Sequence, residues 1–217
     1  VILLVSKPPS PEVARAVVSA CATTPLVAAL IGLPADTPVP GAAAVAPTLE
    51  AGAARAVRQL GGSPPSDWSA WRAEVGDSLA GMAAARTAVW GLFSGGTLCY
   101  EALTLLQPWV GEVWSNTPLD ERHHVPAPAG AHVCLDLGEE EYTQGRPQPM
   151  IDPEARIAVL AEVVYVLGSE NDPQGLHRQR EAFREAGCLV APTGARAALA
   201  AAAIARRRPE IVEADLW

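Results

Sequence analysis

The stretch Ala88–Ala102, AVWGLFSGGTLCYEA, constrains the fold of this chain more than any other. Its pattern predicts an apolar strand over Ala88–Phe93, a turn at Ser94–Gly96, and a helix capped by Thr97. The first amides of such a helix have no partner within the helix, and the helix dipole adds partial positive charge. The two glycines permit positive φ angles and close approach of an anion. The stretch predicts either a socket for phosphate or carboxylate, or a plain strand-to-helix turn that needs small residues.

Short strands alternate with helices on both sides of this stretch, which predicts parallel sheets with crossover helices. Capping residues start the helices of the first series at Ser10 and Thr48. The predicted strands are Val1–Val5, Leu26–Gly32, Ala88–Phe93, Glu112–Ser115, Ala131–Leu137, Val163–Leu167 and Cys188–Ala191. We therefore predict an α/β protein with one domain over residues 1–62, a linker and helix over 63–86, and a second domain over 87–217. Because the chain starts inside a strand without Met, we interpret it as a piece whose N-terminal partner region is missing.

The formal charge and the spacing of the cysteines restrict the partners and the location that we predict for the chain. The formal charge is −8, so no basic face is available for general nucleic-acid binding. No apolar run is long enough to span a membrane, and no signal peptide is visible. The four cysteines are spread along the chain without a CxxC pattern, which is typical of reduced thiols and indicates no metal site. We predict a cytoplasmic protein with neither nucleic acid nor membrane as partner.

The unusual loops all follow predicted strands, and ligands of open parallel sheets gather at the carboxyl ends of the strands. The longest loop, Gly138–Pro153, is stiffened by three prolines around Arg146. A guanidinium binds a carboxylate or phosphate through two parallel hydrogen bonds, so Arg146 would complete an anion clamp beside the glycine turn. The alternative, equally weighted, is that Arg146 pairs with Glu139–Glu141 or Asp152 and pins the loop.

These patterns give a set of candidate residues for a small-molecule anion. The binding candidates are Ser94, Gly95, Gly96, Thr97, Asn116, Arg146 and Glu170, and the residues expected to support the loops are Lys7, Gly145, Gln148 and Asp152. Capping accounts for Asp172 but not for Glu170. No histidine has an acid or cysteine partner at a recognisable catalytic spacing, so the catalytic residues stay unassigned.

Four segments resemble the FdrA family in order and spacing over nearly the whole chain: VILLVSKPP at Val1–Pro9, GLFSGGTLCYEA at Gly91–Ala102, DLGEEEYTQGRPQPMIDP at Asp136–Pro153 and GSENDPQ at Gly168–Gln174. That family looks like a relative of the succinyl-CoA synthetase α subunit, with an N-terminal Rossmann-like CoA-binding-type domain followed by two flavodoxin-like halves. The resemblance implies two flavodoxin-like three-layer parallel-sheet domains of succinyl-CoA synthetase type here, without the N-terminal domain.

The resemblance also implies an activity. Members are commonly labelled acyl-CoA synthetases, and some are subunits of oxamate carbamoyltransferase, which moves a carbamoyl group between oxalurate and phosphate. They act with separately encoded partner subunits. The implied function is a subunit of an acyl or carbamoyl (phospho)transferase or ligase. Its candidate substrates are carbamoyl phosphate, phosphate and CoA, and no cofactor is assigned.

Two departures from the family bear on mechanism. Gln148 stands where the family usually has a histidine, and glutamine can be neither phosphorylated nor a general acid or base. The chain is also shorter than the family between Arg156 and Val166, and it has no Gly-His-Ala-Gly segment. Two alternatives to a phosphohistidine mechanism follow. Backbone amides and Arg146 position the substrate, or the chain is a non-catalytic assembly subunit, a degenerate acyl-CoA synthetase homologue. Exposure of Trp90, Trp109 and Trp114 in one patch would favour assembly, and burial of all three would oppose it.

Overall fold

A computed structural model describes residues 1–7, 9–21, 23–33, 39, 44–144, 163–171, 173 and 175–216. The chain is a mixed α/β protein whose strands form small parallel sheets. It divides into two compact units, the first made of Val1–Asp67 with the C-terminal residues from Asp215, and the second of Trp68–Ala214. None of the helices that the structure describes is long and apolar enough to cross a membrane.

The first unit places helices on both faces of a short parallel sheet. Its elements are β1 (Ile2–Ser6), α1 (Pro11–Ala20), β2 (Leu26–Leu30), β3 (Ala44–Ala46) and α2 (Leu49–Gln59), and the sheet order is β1-β2-β3. The predicted caps are confirmed. The Ser10 hydroxyl accepts a hydrogen bond from the Val13 amide, and the Thr48 hydroxyl accepts one from the Ala51 amide at 3.0 Å.

The core of this unit follows from the alternation of side chains along β2, which is buried on both faces. Leu26, Ala28 and Leu30 form one cluster with Ala14 and Val18 of α1. On the alternate positions, Ala29 clusters with Ala46 and with Ala51 of α2.

The strands that the structure describes in the second unit form two parallel sheets. Its helices and strands are α3 (Ser69–Gly81), β4 (Trp90–Phe93), α4 (Gly96–Val110), β5 (Val113–Ser115), β6 (His132–Asp136), α5 (Glu140–Thr143), β7 (Val163–Val164), α6 (Leu176–Glu185), β8 (Leu189–Val190) and α7 (Gly194–Arg206), with 3-10 turns at Glu121–His123 and Pro209–Glu213. One sheet has the order β4-β6-β5, and the other pairs β7 with β8. The predicted series of strands is therefore present but split between two sheets, and β7 and β8 keep two residues each.

Helix α3 belongs to the second unit by its contacts. Arg72 of α3 pairs with Glu213 at 3.0 Å, and the Arg207 guanidinium donates to the carbonyls of Leu79 and Met82 at 3.0 and 2.8 Å. These carbonyls lie at the end of α3, where the last carbonyls of a helix lack N–H donors from the following turn. The region predicted as a linker and helix, residues 63–86, therefore divides between Asp67 and Trp68.

A buried arginine holds the last residues of the second unit against α7. Arg196 in the first turn of α7 is 1% exposed, and its Nη1 donates to the carbonyls of Val212 and Ala214 at 2.6 and 3.2 Å. Its guanidinium also lies 4.4 Å from the centre of the Trp68 ring. These contacts compensate the guanidinium for its removal from water, because a buried charge needs such partners.

The stability of the protein should depend on pH through His132. Its Nδ1 accepts the Val89 amide at 3.1 Å, and burial together with the nearby Arg206 lowers the pKa of His132. In the unfolded chain the His132 imidazole binds a proton near its ordinary pKa of about 6.5. In the folded chain protonation of the imidazole requires a lower pH. The contribution is therefore complete above about pH 6.5 and is lost as the pH falls from there towards the folded pKa.

Urea unfolding between about pH 8 and pH 5 measures this effect. The difference in unfolding free energy between the native chain and His132→Gln, which keeps an acceptor and cannot titrate, should change through this window. A constant difference would show that His132 does not contribute.

Candidate functional site

The candidate site lies at the carboxyl ends of β4, β5 and β6. Phe93 pairs with Asp136 and Ser115 with Cys134 in parallel register, so the three strands end at the same edge of the sheet. The loops that follow begin at Ser94, Asn116 and Leu137. The loops after β4, β5 and β6 therefore begin at one edge, as predicted, whereas the predicted fourth loop, after β7, follows a strand of a different sheet.

The glycine turn leaves the first amides of α4 accessible. Gly95 is the N-cap residue, and its carbonyl accepts the Cys99 amide at 3.2 Å. The amides of Gly96, Thr97 and Leu98 donate no hydrogen bond to any of the described residues. No side chain among these residues caps the helix. The expectation that Thr97 is the cap is wrong, because the backbone turns into the helix two residues earlier.

Gly95 is not required by the chain itself. Its φ of −173° is extended backbone that any residue adopts, so the positive φ that a glycine permits is not used here. A Cβ at this position would meet no atom within 4 Å. By contrast, a Cβ at Gly91 would lie 2.6 Å from the Phe93 ring and 2.9 Å from the Cys134 sulfur. Gly91 is therefore explained by packing, whereas Gly95 keeps the space in front of the helix open.

Asn116 connects two of the loops. Its Nδ2 donates to the Asp136 carbonyl at 2.9 Å and to Glu141 Oε1 at 3.3 Å, while its Oδ1 accepts the Asp136 amide at 2.9 Å. The side-chain amide thus binds the segment after β5 to the end of β6. Its predicted role as an anion ligand stays a prediction, and in this structure it positions the loops.

Asp136 is a site residue that the sequence reasoning missed. Its side chain is 2% exposed, and Oδ1 accepts the Gly138 amide at 2.9 Å. A Cβ at Gly138 would lie 3.0 Å from this oxygen and 3.6 Å from the Ser94 carbonyl. The signal in the sequence was Asp-x-Gly after an apolar strand, which is typical of a turn closed by the aspartate side chain.

A second missed residue, Glu101, lies on α4 beside the start of α7. Glu101 is 2% exposed, and its Oε2 is 3.5 Å from the position of a Cβ on Gly194, as is Cδ1 of Tyr165. The Thr193 hydroxyl accepts the Arg196 amide and caps the same helix. Burial raises the pKa of Tyr165, against the opposing effect of Arg180, and the Glu101 carboxylate adds to the rise. Protein side chains therefore cap and surround the start of α7, unlike the start of α4.

The remaining candidates lie elsewhere. Glu170 is exposed in the segment after β7, and within the described part no hydrogen bond or ion pair joins it to the glycine turn. Lys7 is exposed after β1 in the first unit. Four further candidates, Gly145, Arg146, Gln148 and Asp152, lie outside the described residues. In the part of the chain that the structure describes, no three His, Cys, Asp or Glu side chains are grouped as metal ligands.

The three tryptophans named as a test of assembly give a divided result. Trp90 is 76% exposed, whereas Trp109 and Trp114 are partly buried. Trp114 packs edge-on against His123 with ring centres 5.6 Å apart. They form neither a fully exposed patch nor a fully buried group.

Comparison with known proteins identifies a relative of this chain. No protein-family model matches the chain. The chain is 32% identical to the uncharacterized protein YahF of Escherichia coli (strain K12), in an alignment of 217 positions that covers 89% of this chain and 41% of that relative. The chain thus spans about two fifths of the length of the relative that it matches. The similarity extends over most of the chain and assigns no activity to it.

Proposed function

We propose that this chain is a subunit of an FdrA-type acyl or carbamoyl (phospho)transferase that binds the phosphate or carboxylate group of a small molecule at the start of α4. The observation that carries the proposal is Gly95, a glycine that neither backbone conformation nor internal packing requires. It stands before three amides without acceptors among the described residues. Free amides at a helix N-terminus, together with the helix dipole, form an anion site.

The other residues divide into binding and positioning roles. The amides of Gly96–Leu98 hold the anion, with the Ser94 and Thr97 hydroxyls at the rim and the Arg146 guanidinium as counter-charge. Asn116 and Asp136 hold the neighbouring loops in place. The carboxylates of Asp136 and Glu141 are near this edge and accept protein N–H groups, so the arginine is needed for net attraction of an anion.

The proposed reaction class follows the family resemblance. In the carbamoyl version, a phosphate oxygen attacks the carbamoyl carbon of oxalurate, the C–N bond breaks, and the nitrogen takes a proton. The products are carbamoyl phosphate and oxamate. Carbamoyl phosphate, phosphate and CoA remain the candidate substrates, and separately encoded subunits supply the remaining groups of the site.

Fold and location are part of the same proposal. We propose two flavodoxin-like domains of succinyl-CoA synthetase type, and the helices on both faces of the β1-β2-β3 sheet support this for the first unit. The four cysteines, Cys21, Cys99, Cys134 and Cys188, form no disulfide bonds. Reduced cysteines support the proposed cytoplasmic location.

A non-catalytic assembly subunit is the second candidate. Trp90 and Leu92 are exposed on the same face of β4, an edge strand of its sheet. Aromatic residues are enriched in the cores of interfaces, so this pair supports a docking role. Loss of a partner subunit from the purified complex on Trp90→Ser, with anion binding unchanged, would favour this candidate.

Arg146→Ala tests the proposed anion site directly. Calorimetric titration with carbamoyl phosphate or inorganic phosphate should show affinity reduced by about tenfold or more, because a charge-assisted hydrogen bond contributes about 1.5–3 kcal/mol. The fold, followed by circular dichroism, should survive. Arg206→Ala, an exposed arginine at the end of α7, is the matched control and should bind as the native chain does. Unchanged binding by Arg146→Ala would contradict the proposal.

A further inference from the structure

A group of polar side chains lies where the β7-β8 sheet ends. Tyr165 directly follows β7, and Gly194 begins α7 shortly after β8. The two strands are parallel, and the Ala191 amide donates to the Val164 carbonyl at 2.7 Å, so both segments leave the sheet at its carboxyl edge. A Cβ on Gly194 would lie 3.5 Å from Tyr165 Cδ1 and 3.5 Å from Glu101 Oε2. Tyr165 and Glu101 therefore meet at the start of α7.

Arg180 of α6 adds a cation to this group. Its Nε is buried, and none of the described residues accepts a hydrogen bond from this atom. The guanidinium opposes the rise that burial causes in the pKa of Tyr165, so it lies near the phenol. A buried N–H group without an acceptor is unfavourable, and buried polar groups in folded proteins are nearly always hydrogen-bonded. Arg180 therefore needs an acceptor beside Tyr165.

The group lies next to the start of α4. Cδ2 of Leu98 is 3.3 Å from the same Cβ position on Gly194 that Tyr165 and Glu101 approach. The Leu98 amide is one of the three that donate no hydrogen bond to the described residues. The proposed anion site and the group around Tyr165 are thus neighbours within the second unit.

The charges around Tyr165 favour a carboxylate as the missing acceptor. Glu101 is 2% exposed, and its carboxylate adds to the rise in the pKa of Tyr165, so this negative charge also lies near the phenol. A carboxylate carries one negative charge and is repelled by Glu101 less than a doubly charged phosphate would be. A carboxylate also accepts two parallel hydrogen bonds from the edge of a guanidinium, and this edge includes Nε.

We propose that the small molecule bound at the start of α4 carries a carboxylate as a second anionic group, and that Arg180 and the Tyr165 hydroxyl bind this carboxylate. The inference rests on the proposed function, because the first anionic group occupies the site proposed there. The substrate class is then a small molecule with an anionic group at each end. Arg180 becomes the residue that selects such a molecule over one with a single anionic group.

Calorimetric titration with phosphonoacetate and phosphonoacetamide tests this inference. The two probes share a phosphonate and differ in whether the other end is a carboxylate or a neutral amide. The native chain should bind phosphonoacetate at least about tenfold more tightly, because charge-assisted hydrogen bonds to Arg180 contribute that much. Arg180→Gln should remove the preference by weakening the binding of phosphonoacetate alone, and Tyr165→Phe should reduce it. Arg184→Gln, on the same helix with a guanidinium paired to Glu181, is the matched control and should keep the preference.

The possible results separate this inference from the proposed function. Equal affinity of the native chain for the two probes, or a preference that survives Arg180→Gln, would overturn the inference and leave the anion site at α4 in place. Lower stability of Arg180→Gln in urea with the preference retained would assign Arg180 a structural role and would also overturn it. Failure of both probes to bind the native chain would contradict the proposed function, and this inference would fall with it.

Discussion

Gly95→Asp is expected to abolish anion binding while leaving the fold intact. An aspartate at an N-cap accepts hydrogen bonds from the first-turn amides, so the new carboxylate would occupy the place of the ligand. Losing two charge-assisted hydrogen bonds predicts at least about a hundredfold weaker binding of phosphate. Stability should rise by a few tenths of a kcal/mol, because aspartate is a better cap than glycine.

The two readouts have opposite signs, which separates a blocked site from a damaged fold. Calorimetric titration measures the binding, and urea unfolding measures the stability. The control is Gly81→Asp, which introduces the same charge at another glycine whose Cβ would meet no atom within 4 Å. Binding that survives Gly95→Asp, or falls equally in Gly81→Asp, would show that the start of α4 is not the site.

Arg196→Met is expected to have the largest effect on stability. The change leaves the buried carbonyl of Val212 and the partly buried carbonyl of Ala214 without this donor and removes the cation from the face of Trp68. An unsatisfied buried polar group costs about 1–3 kcal/mol, so the unfolding free energy should fall by about 3 kcal/mol or more. Urea unfolding followed by tryptophan fluorescence measures the change.

Two further variants define the cause of that loss. Arg196→Lys keeps the charge but loses the planar fork, so its stability should fall between those of the native chain and Arg196→Met. Arg206→Met removes an exposed arginine from the same helix and should change stability by no more than about 0.5 kcal/mol. If Arg196→Met lost as little as Arg206→Met, the carbonyl contacts would not support the end of the second unit.

Local features of the fold could be predicted from the sequence, because they depend on neighbouring residues. The caps at Ser10 and Thr48 are confirmed, and each predicted strand of the first series overlaps an observed strand. Strand pairing depends on contacts between distant residues, and no local pattern indicated that β6 would lie between β4 and β5. The separation of β7 and β8 into their own sheet was missed for the same reason.

The same distinction between local patterns and distant contacts applies to the candidate site. The edge where its loops meet followed from the common direction of parallel strands, so the glycine turn and Asn116 were placed correctly at one edge. The partners of Asn116 could not be predicted, because its hydrogen bonds reach Asp136, twenty positions away. Glu101 was missed because a single acid within an apolar helix face does not reveal its burial until α7 is in place.

Titration of the isotope-labelled chain with inorganic phosphate, followed by amide NMR, tests the central claim most directly. The account predicts saturable shifts of the Gly96, Thr97 and Leu98 amides, which have no acceptor among the described residues. The Arg196 amide already donates a hydrogen bond to the Thr193 hydroxyl, so its chemical shift should remain unchanged. Unmoved amides at the start of α4, while phosphate binds elsewhere or not at all, would contradict the account.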